Sequence, residues 1–223
     1  MPETAIGFFP DNGVCWYLAR LPHEIGTWLA LTGAAIGRAD ALRLDLVTHC
    51  IDADRFDGLA AAIGDAQPID AVLGAAHADP GPAPIDALSG VIERCFSAPS
   101  AAGIMQRLAE EPAERAWCEE TRATLAARSP LALEVTLQHL RRARHLDLRQ
   151  TLMADHRLAV RLVTGNDFLE GVRARIVEKR GEPRWQPATL ADLGPAAAER
   201  CFAPLSERAL HLPTRQEMQV QRA

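Results

Sequence analysis

The chain has 223 residues, 48% of them hydrophobic and 24% charged, which is enough apolar side chain to bury a core and too much for a disordered tail. Acidic residues outnumber basic ones 29 to 24, and the formal charge of −5 argues against a nucleic-acid-binding face. No apolar run approaches the roughly 20 residues needed to cross a bilayer, so no membrane-spanning segment is expected.

Taken in chain order, Ile25, Trp28, Leu29 and Thr32 fall at helical spacing and predict a helix with one face on a core, ended by a turn at Gly33. A short helix is expected over Ala39–Leu44. The β-branched cluster Leu46–Ile51, stopped by Asp52, reads as a strand. Pro68, Pro80, Gly81, Pro82 and Pro84 mark residues 66–84 as an exposed connector and place the main internal boundary there. Ile85, Leu88, Ile92 and Cys95 then form a helical stripe. Ser100 and Ser129-Pro130 offer N-caps for the next two helices, the second with proline at its tolerated first position. A further stripe, Leu148, Leu152, Asp155, Ala159 and Leu162, places an acid on an apolar seam, where it requires a tertiary partner. Asn166–Val177 reads as a last long helix, followed by an irregular tail with one short helix.

The five cysteines, Cys15, Cys50, Cys95, Cys118 and Cys201, are scattered and form no C-x-x-C pair; reduced thiols in a cytoplasmic compartment fit that pattern. Cys15 reads as a small buried hydrophobe, not a nucleophile. His139, His145 and His156 lack metal-ligand spacing, so no metal is expected and surface or capping roles are assigned. Arg141, Arg142 and Arg144 suit the C-terminal end of their helix without any ligand.

The unusual feature is at the start of the chain. In Met1-Pro2-Glu3-Thr4-Ala5-Ile6-Gly7-Phe8-Phe9-Pro10-Asp11, two carboxylates stand eight residues apart around an apolar segment. Desolvation beside Ile6, Phe8 and Phe9 would disfavour a charged carboxylate, the usual way of tuning a general base. Spacing alone favours a frayed N-terminus with an ordinary solvated Glu3.

The M-P-E-T-A-I-G-F-F-P-D segment, Leu29-Ala30-Leu31-Thr32-Gly33, Ala39-Asp40-Ala41 and Thr48-His49 together resemble the 3-hydroxyisobutyryl-CoA hydrolase branch of the crotonase (enoyl-CoA hydratase/isomerase) superfamily. Ile92–Ser97, Ser129-Pro130, Asp167–Ala174 (D-F-L-E-G-V-R-A) and Pro183-Arg184-Trp185 extend the likeness to about residue 205. The resemblance implies that Glu3 attacks the thioester or activates water and that Asp11 holds the substrate near its 3-hydroxyl. It also implies that Glu178-Lys179-Arg180, with the only lysine of the chain, touches the adenine end of CoA. No cofactor is implied beyond the CoA carried by the substrate. The family's two Gly-rich loops, whose backbone N–H groups hold the oxyanion, have no counterpart here, and the chain contains no Gly-Gly pair. After Pro10-Asp11 the family continues with an apolar residue and glycines, whereas this chain has Asn12-Gly13-Val14-Cys15. Asp45 stands where the family prefers glycine and a positive φ is expected.

The resulting expectation is the C-terminal part of a crotonase-like α/β spiral fold, mainly α with one or two short strands. Residues 1–65 would be a core remnant with the catalytic motif, 66–84 a connector and 85–223 a helical region. The expected activity is hydrolysis of a short β-hydroxyacyl-CoA in valine catabolism, impaired without the oxyanion loops. The alternatives are an enoyl-CoA hydratase or isomerase, and a catalytically silent helical module that self-associates or pairs with a separate N-terminal half.

Overall fold

The computed structural model describes residues 1–206 and 209–220. In chain order the helices are α1 (Val14–Leu18), α2 (Ile25–Thr32), α3 (Arg38–Arg43), α4 (Phe56–Gly64), α5 (Ile69–Ala76), α6 (Ile85–Phe96), α7 (Ala101–Glu110), α8 (Arg115–Ala126), α9 (Pro130–Ala143), α10 (Leu148–Leu162), α11 (Asn166–Val172), α12 (Ala197–Cys201) and α13 (Arg215–Val220). A 3₁₀ turn over Glu3–Ile6 precedes them, and a π-helical turn over Arg173–Val177 continues α11. The backbone divides into two compact units, residues 1–34 with 91–223, and residues 35–90, the division falling within α6.

The larger unit follows its sequence signals closely. Ser100 Oγ accepts the Gly103 N–H and Ser129 Oγ accepts the Ala132 N–H, so both N-caps form. Asp147 and Gln150 add a reciprocal capping box at the start of α10. The helices wrap a core around Phe8, Phe9, Val135, Leu158, Leu162 and Phe202. Burying such side chains supplies roughly 1.5–3 kcal/mol each before the entropy of ordering the chain is subtracted. α8 buries Cys118, Thr121 and Leu125, a stripe too polar to stand out in the sequence.

Ser129 also donates its hydroxyl to Asp167 Oδ2 at 2.5 Å, tying the start of α9 to α11. Ser129→Ala therefore removes a cap and leaves one oxygen of a buried carboxylate without a partner. The expected loss is about 2 kcal/mol, read as a lower midpoint in urea or thermal unfolding.

In the smaller unit the expected strand over Leu46–Ile51 does not form. Asp45 adopts φ +55°, the conformation expected of it, and the N–H groups of Leu46 and Val47 fold back onto Ala41 O at 2.9 and 3.3 Å. The donors a strand would need are spent closing α3. Only Ile51 pairs, in a single antiparallel bridge with His77, so among the described residues there is no strand. The proline-rich stretch 66–84 lies inside this unit, and α5 occupies part of it, entered from Pro68 where proline obstructs no helical hydrogen bond. Asp40 orders the unit by accepting Ile85 N–H at 2.8 Å and Gly37 N–H at 3.3 Å.

Candidate active site

The Glu3–Ile6 turn is clamped by one local contact and two distant in sequence. Phe8 N–H donates to Glu3 O at 3.0 Å, Thr4 Oγ1 donates to Leu31 O at 3.0 Å, and Ser129 N–H donates to Thr4 O at 3.2 Å. Two glycines admit α11 against this turn. A Cβ on Gly171 would stand 2.4 Å from the Ile6 carbonyl carbon, and one on Gly7 would stand 2.4 Å from that of Asp167. On this rigid base Glu3 Oε2 is buried and accepts no hydrogen bond among the described residues.

Asp11 follows the buried Phe8-Phe9-Pro10 run. Its Oδ1 accepts the Asn12 side-chain N–H at 2.7 Å, and the loop turns through two successive left-handed residues, Asn12 at φ +57° and Gly13 at φ +78°, before entering α1. Burial, reinforced by the negative charge of Asp155, raises the Asp11 carboxyl above its ordinary 3.8; its backbone and Asn12 bonds oppose that rise. The same acids surround Cys15. Burial first, then Asp155, Glu3 and Asp11, push its thiol well above 9, while Sγ donates to Pro10 O at 3.1 Å. Cys15 is thus an inert packing residue whose thiol feels the charge of all three acids.

A raised native carboxyl means that the folded chain holds the Asp11 proton more tightly than the unfolded chain does. As pH climbs from 3.8 through the raised value, the charged group works progressively against folding. Asp11→Asn is therefore expected to melt higher than the parent at neutral pH and to converge with it below 3.8, a comparison made by thermal denaturation across pH.

Asp155 has the tertiary partners its place on the apolar stripe required. Oδ2 accepts Gly13 N–H at 2.7 Å and Oδ1 accepts Nε2–H of His139 at 2.6 Å. His139 is not the surface or capping residue expected: it is 0% exposed, edge-on to Phe9 with ring centroids 5.6 Å apart. Its position was readable, since Ala132, Thr136, His139 and Ala143 fall at spacings of 4, 3 and 4 on the buried side of α9. An open cleft of about 290 Å³ lies alongside, walled by Asp11, Asn12, Leu152, Asp155, Leu210 and Leu212.

The D-F-L-E-G-V-R-A segment is structural. Asp167 takes the Ser129 hydroxyl and, on Oδ1, Gln186 N–H at 2.7 Å. Glu170 pairs with Arg173 through two hydrogen bonds of 2.8 and 2.6 Å and takes Arg184 N–H at 2.9 Å, which hold its carboxyl down at about 2. Arg141 donates to Ala98 O, Arg142 to Glu199 at 2.5 Å while stacking over Phe202, and Arg144 to Glu24 at 2.6 Å, so the helix-end arginines are engaged by the protein itself. Lys179 is exposed at φ +52° beyond the π turn, and no contact joins it to Glu3 or Asp11 among the described residues.

A family model described as enoyl-CoA hydratase/isomerase matches residues 1–202. The chain belongs to this family. Among its enoyl-CoA hydratase/isomerase relatives, the mitochondrial 3-hydroxyisobutyryl-CoA hydrolase of Danio rerio is 33% identical over 95% of this chain and 58% of its own length. The small ribosomal subunit protein mS47 of Arabidopsis thaliana is 34% identical over 96% of this chain and 57% of its own length. The crystal structure of a carnitinyl-CoA dehydratase from Mycobacterium thermoresistibile superposes with a TM-score of 0.85 at 36% identity, covering 93% of this chain and 59% of that one. That of an enoyl-CoA hydratase from Rhodobacter sphaeroides 2.4.1 superposes with a TM-score of 0.84 at 33% identity, covering 95% and 61%. The fold is accordingly that of the crotonase superfamily, and the chain spans about three-fifths of the length of these relatives, matching the C-terminal part of the hydrolases.

Proposed function

We propose that this chain carries the carboxylate side of a site that hydrolyses a short β-hydroxyacyl-CoA thioester, 3-hydroxyisobutyryl-CoA in the first instance, as a step of valine catabolism. The observation that carries the reading is the buried, unpartnered Glu3 Oε2 on a rigid turn, one apolar run away from a second acid. A carboxylate oxygen that takes no hydrogen bond among the described residues is available to attack the thioester carbonyl or to take a proton from an attacking water. Asp11 accepts the substrate's 3-hydroxyl at the cleft, whose Leu152, Leu210 and Leu212 walls suit a short branched acyl group. Lys179, the only lysine, meets the adenine end of CoA. No cofactor is needed beyond the CoA of the substrate.

The tetrahedral intermediate also needs donors for its oxyanion, and removing one such donor typically costs about 3 kcal/mol of barrier. No Gly-Gly pair occurs among the 223 residues to build the family's loops, so slow turnover by the chain alone belongs to the proposal. Free thiols fit the cytoplasm and the mitochondrial matrix alike; the Danio rerio and Gallus gallus relatives are named mitochondrial. The test is thiol release from 3-hydroxyisobutyryl-CoA. Release supports hydrolysis, whereas loss of enoyl absorbance from an enoyl-CoA without free thiol replaces it with hydration, the activity in the name of the Rhodobacter sphaeroides structure.

A second reading, a polypeptide-binding module without catalysis, draws on the relatives from Arabidopsis thaliana and Neurospora crassa that are named small ribosomal subunit protein mS47. It predicts no thiol release and a partner chain retained through size-exclusion chromatography.

A further inference from the structure

We infer that Asp155 is a positioning residue for Asp11, fixed in turn by His139. The inference rests on the reading of Asp11 as the partner of the substrate hydroxyl. Asp155 is only 5% exposed, on the buried side that α10 shares with Thr151, Leu158 and Leu162. Packing gives no reason for a carboxylate there, and burying one is costly unless its oxygens are filled. Both are filled by groups that matter to the neighbouring loop.

Oδ2 takes the N–H of Gly13, the residue that ends the Asp11-Asn12-Gly13 loop and opens α1. The loop holds two consecutive positive φ values, and the Asn12 one is disfavoured for a residue with a side chain. A fixed acceptor at Gly13 N–H keeps the chain in that conformation and so sets where the Asp11 carboxyl emerges into the cleft. Oδ1 takes Nε2–H of His139, whose ring is itself immobilised against Phe9 and Phe202. The loop, α9 and α10 thus converge on one carboxylate. His139 Nδ1 finds no partner among the described residues, so the imidazole's one polar bond is spent orienting Asp155. Asp155 also acts through its charge, being one of the groups that raise the Asp11 carboxyl.

The test uses the 223-residue chain with Asp155→Asn, which keeps an oxygen for Gly13 N–H, and Asp155→Leu, which does not. Three quantities are read: hydrogen exchange at the Gly13 amide, the carbon-13 titration of the Asp11 carboxyl, and the kcat/KM ratio for 3-hydroxyisobutyryl-CoA over isobutyryl-CoA, which lacks the hydroxyl. Asp155→Asn should leave Gly13 protected and move the Asp11 titration down towards 3.8. Asp155→Leu should speed Gly13 exchange and lower the hydroxyl preference, each at least about tenfold. An Asp11 titration indifferent to Asp155→Asn, or Gly13 exchange and hydroxyl preference unchanged in a folded Asp155→Leu chain, overturns the inference. If Asp155→Leu does not fold, Gly13 exchange and the hydroxyl preference are read in Asp155→Ala, which likewise removes the acceptor for Gly13 N–H. Failure of the hydrolase reading is seen separately, as thiol release absent from the parent or unaffected by Glu3→Gln, while the exchange and titration measurements still decide the role of Asp155.

Discussion

Glu3→Gln is expected to lower thiol release from 3-hydroxyisobutyryl-CoA by roughly 10²–10⁴-fold, the range for removing a positioned acid–base group, without disturbing the fold. The substitution is nearly isosteric. The Glu3 turn is held by main-chain atoms and by Thr4, not by the Glu3 carboxyl, whose Oε2 bonds to nothing among the described residues. The variant should therefore melt with the parent while losing turnover. Thiol detection with both proteins at equal concentration, alongside a circular dichroism melt, separates the two effects. Equal rates would mean that the carboxylate is neither nucleophile nor base.

The largest effect on stability is expected from Gly7→Ala. Two costs coincide at that position. The residue sits at φ +70°, where a side chain costs about 1–2 kcal/mol. The added methyl would also meet Asp167 backbone at 2.4 Å, an overpacking of about 1–3 kcal/mol. A loss of about 2–5 kcal/mol follows, measured as a shift of the urea midpoint with unchanged slope. Because Glu3 stands on the same turn, surviving folded molecules should hydrolyse more slowly too. A stability equal to the parent's would show that α11 does not press on the turn as described.

What could be read from the sequence follows a physical divide. Elements set by local rules were legible: the caps at Ser100 and Ser129 and the stripe of α10. Helix caps depend on a few neighbouring residues, and those residues are written in order; the left-handed Asp45 followed instead from the family resemblance, which puts glycine at that position. The strand at Leu46–Ile51 was misread because a strand exists only with a pairing edge, and that edge is a tertiary fact. α5 was hidden because its proline stands at the entrance, where it does no harm. The site divided the same way. Its two proposed acids stood out only through the resemblance of the M-P-E and F-P-D segments to the family, and Asp155 announced itself as an acid among leucines. The destination of Asp155 could not be read, since Gly13 lies 142 residues away and His139 sits on another helix. Nothing in the spacing of the D-F-L-E-G-V-R-A segment showed that its acids serve the backbone of residues 184 and 186.

The clamp on the Glu3 turn has a bearing on how the chain matures. Its fasteners are Leu31, Ser129, Asp167 and Gly171, so the turn is completed by residues synthesised well after it. At ribosomal speeds of about 5–20 residues per second, this segment waits on the order of ten seconds before its seat exists. Contacts of such long sequence separation also close slowly for entropic reasons. The seating of the Glu3 turn should consequently emerge last in refolding, after helical signal has recovered, and a nascent chain halted before residue 167 should leave this segment open to proteases.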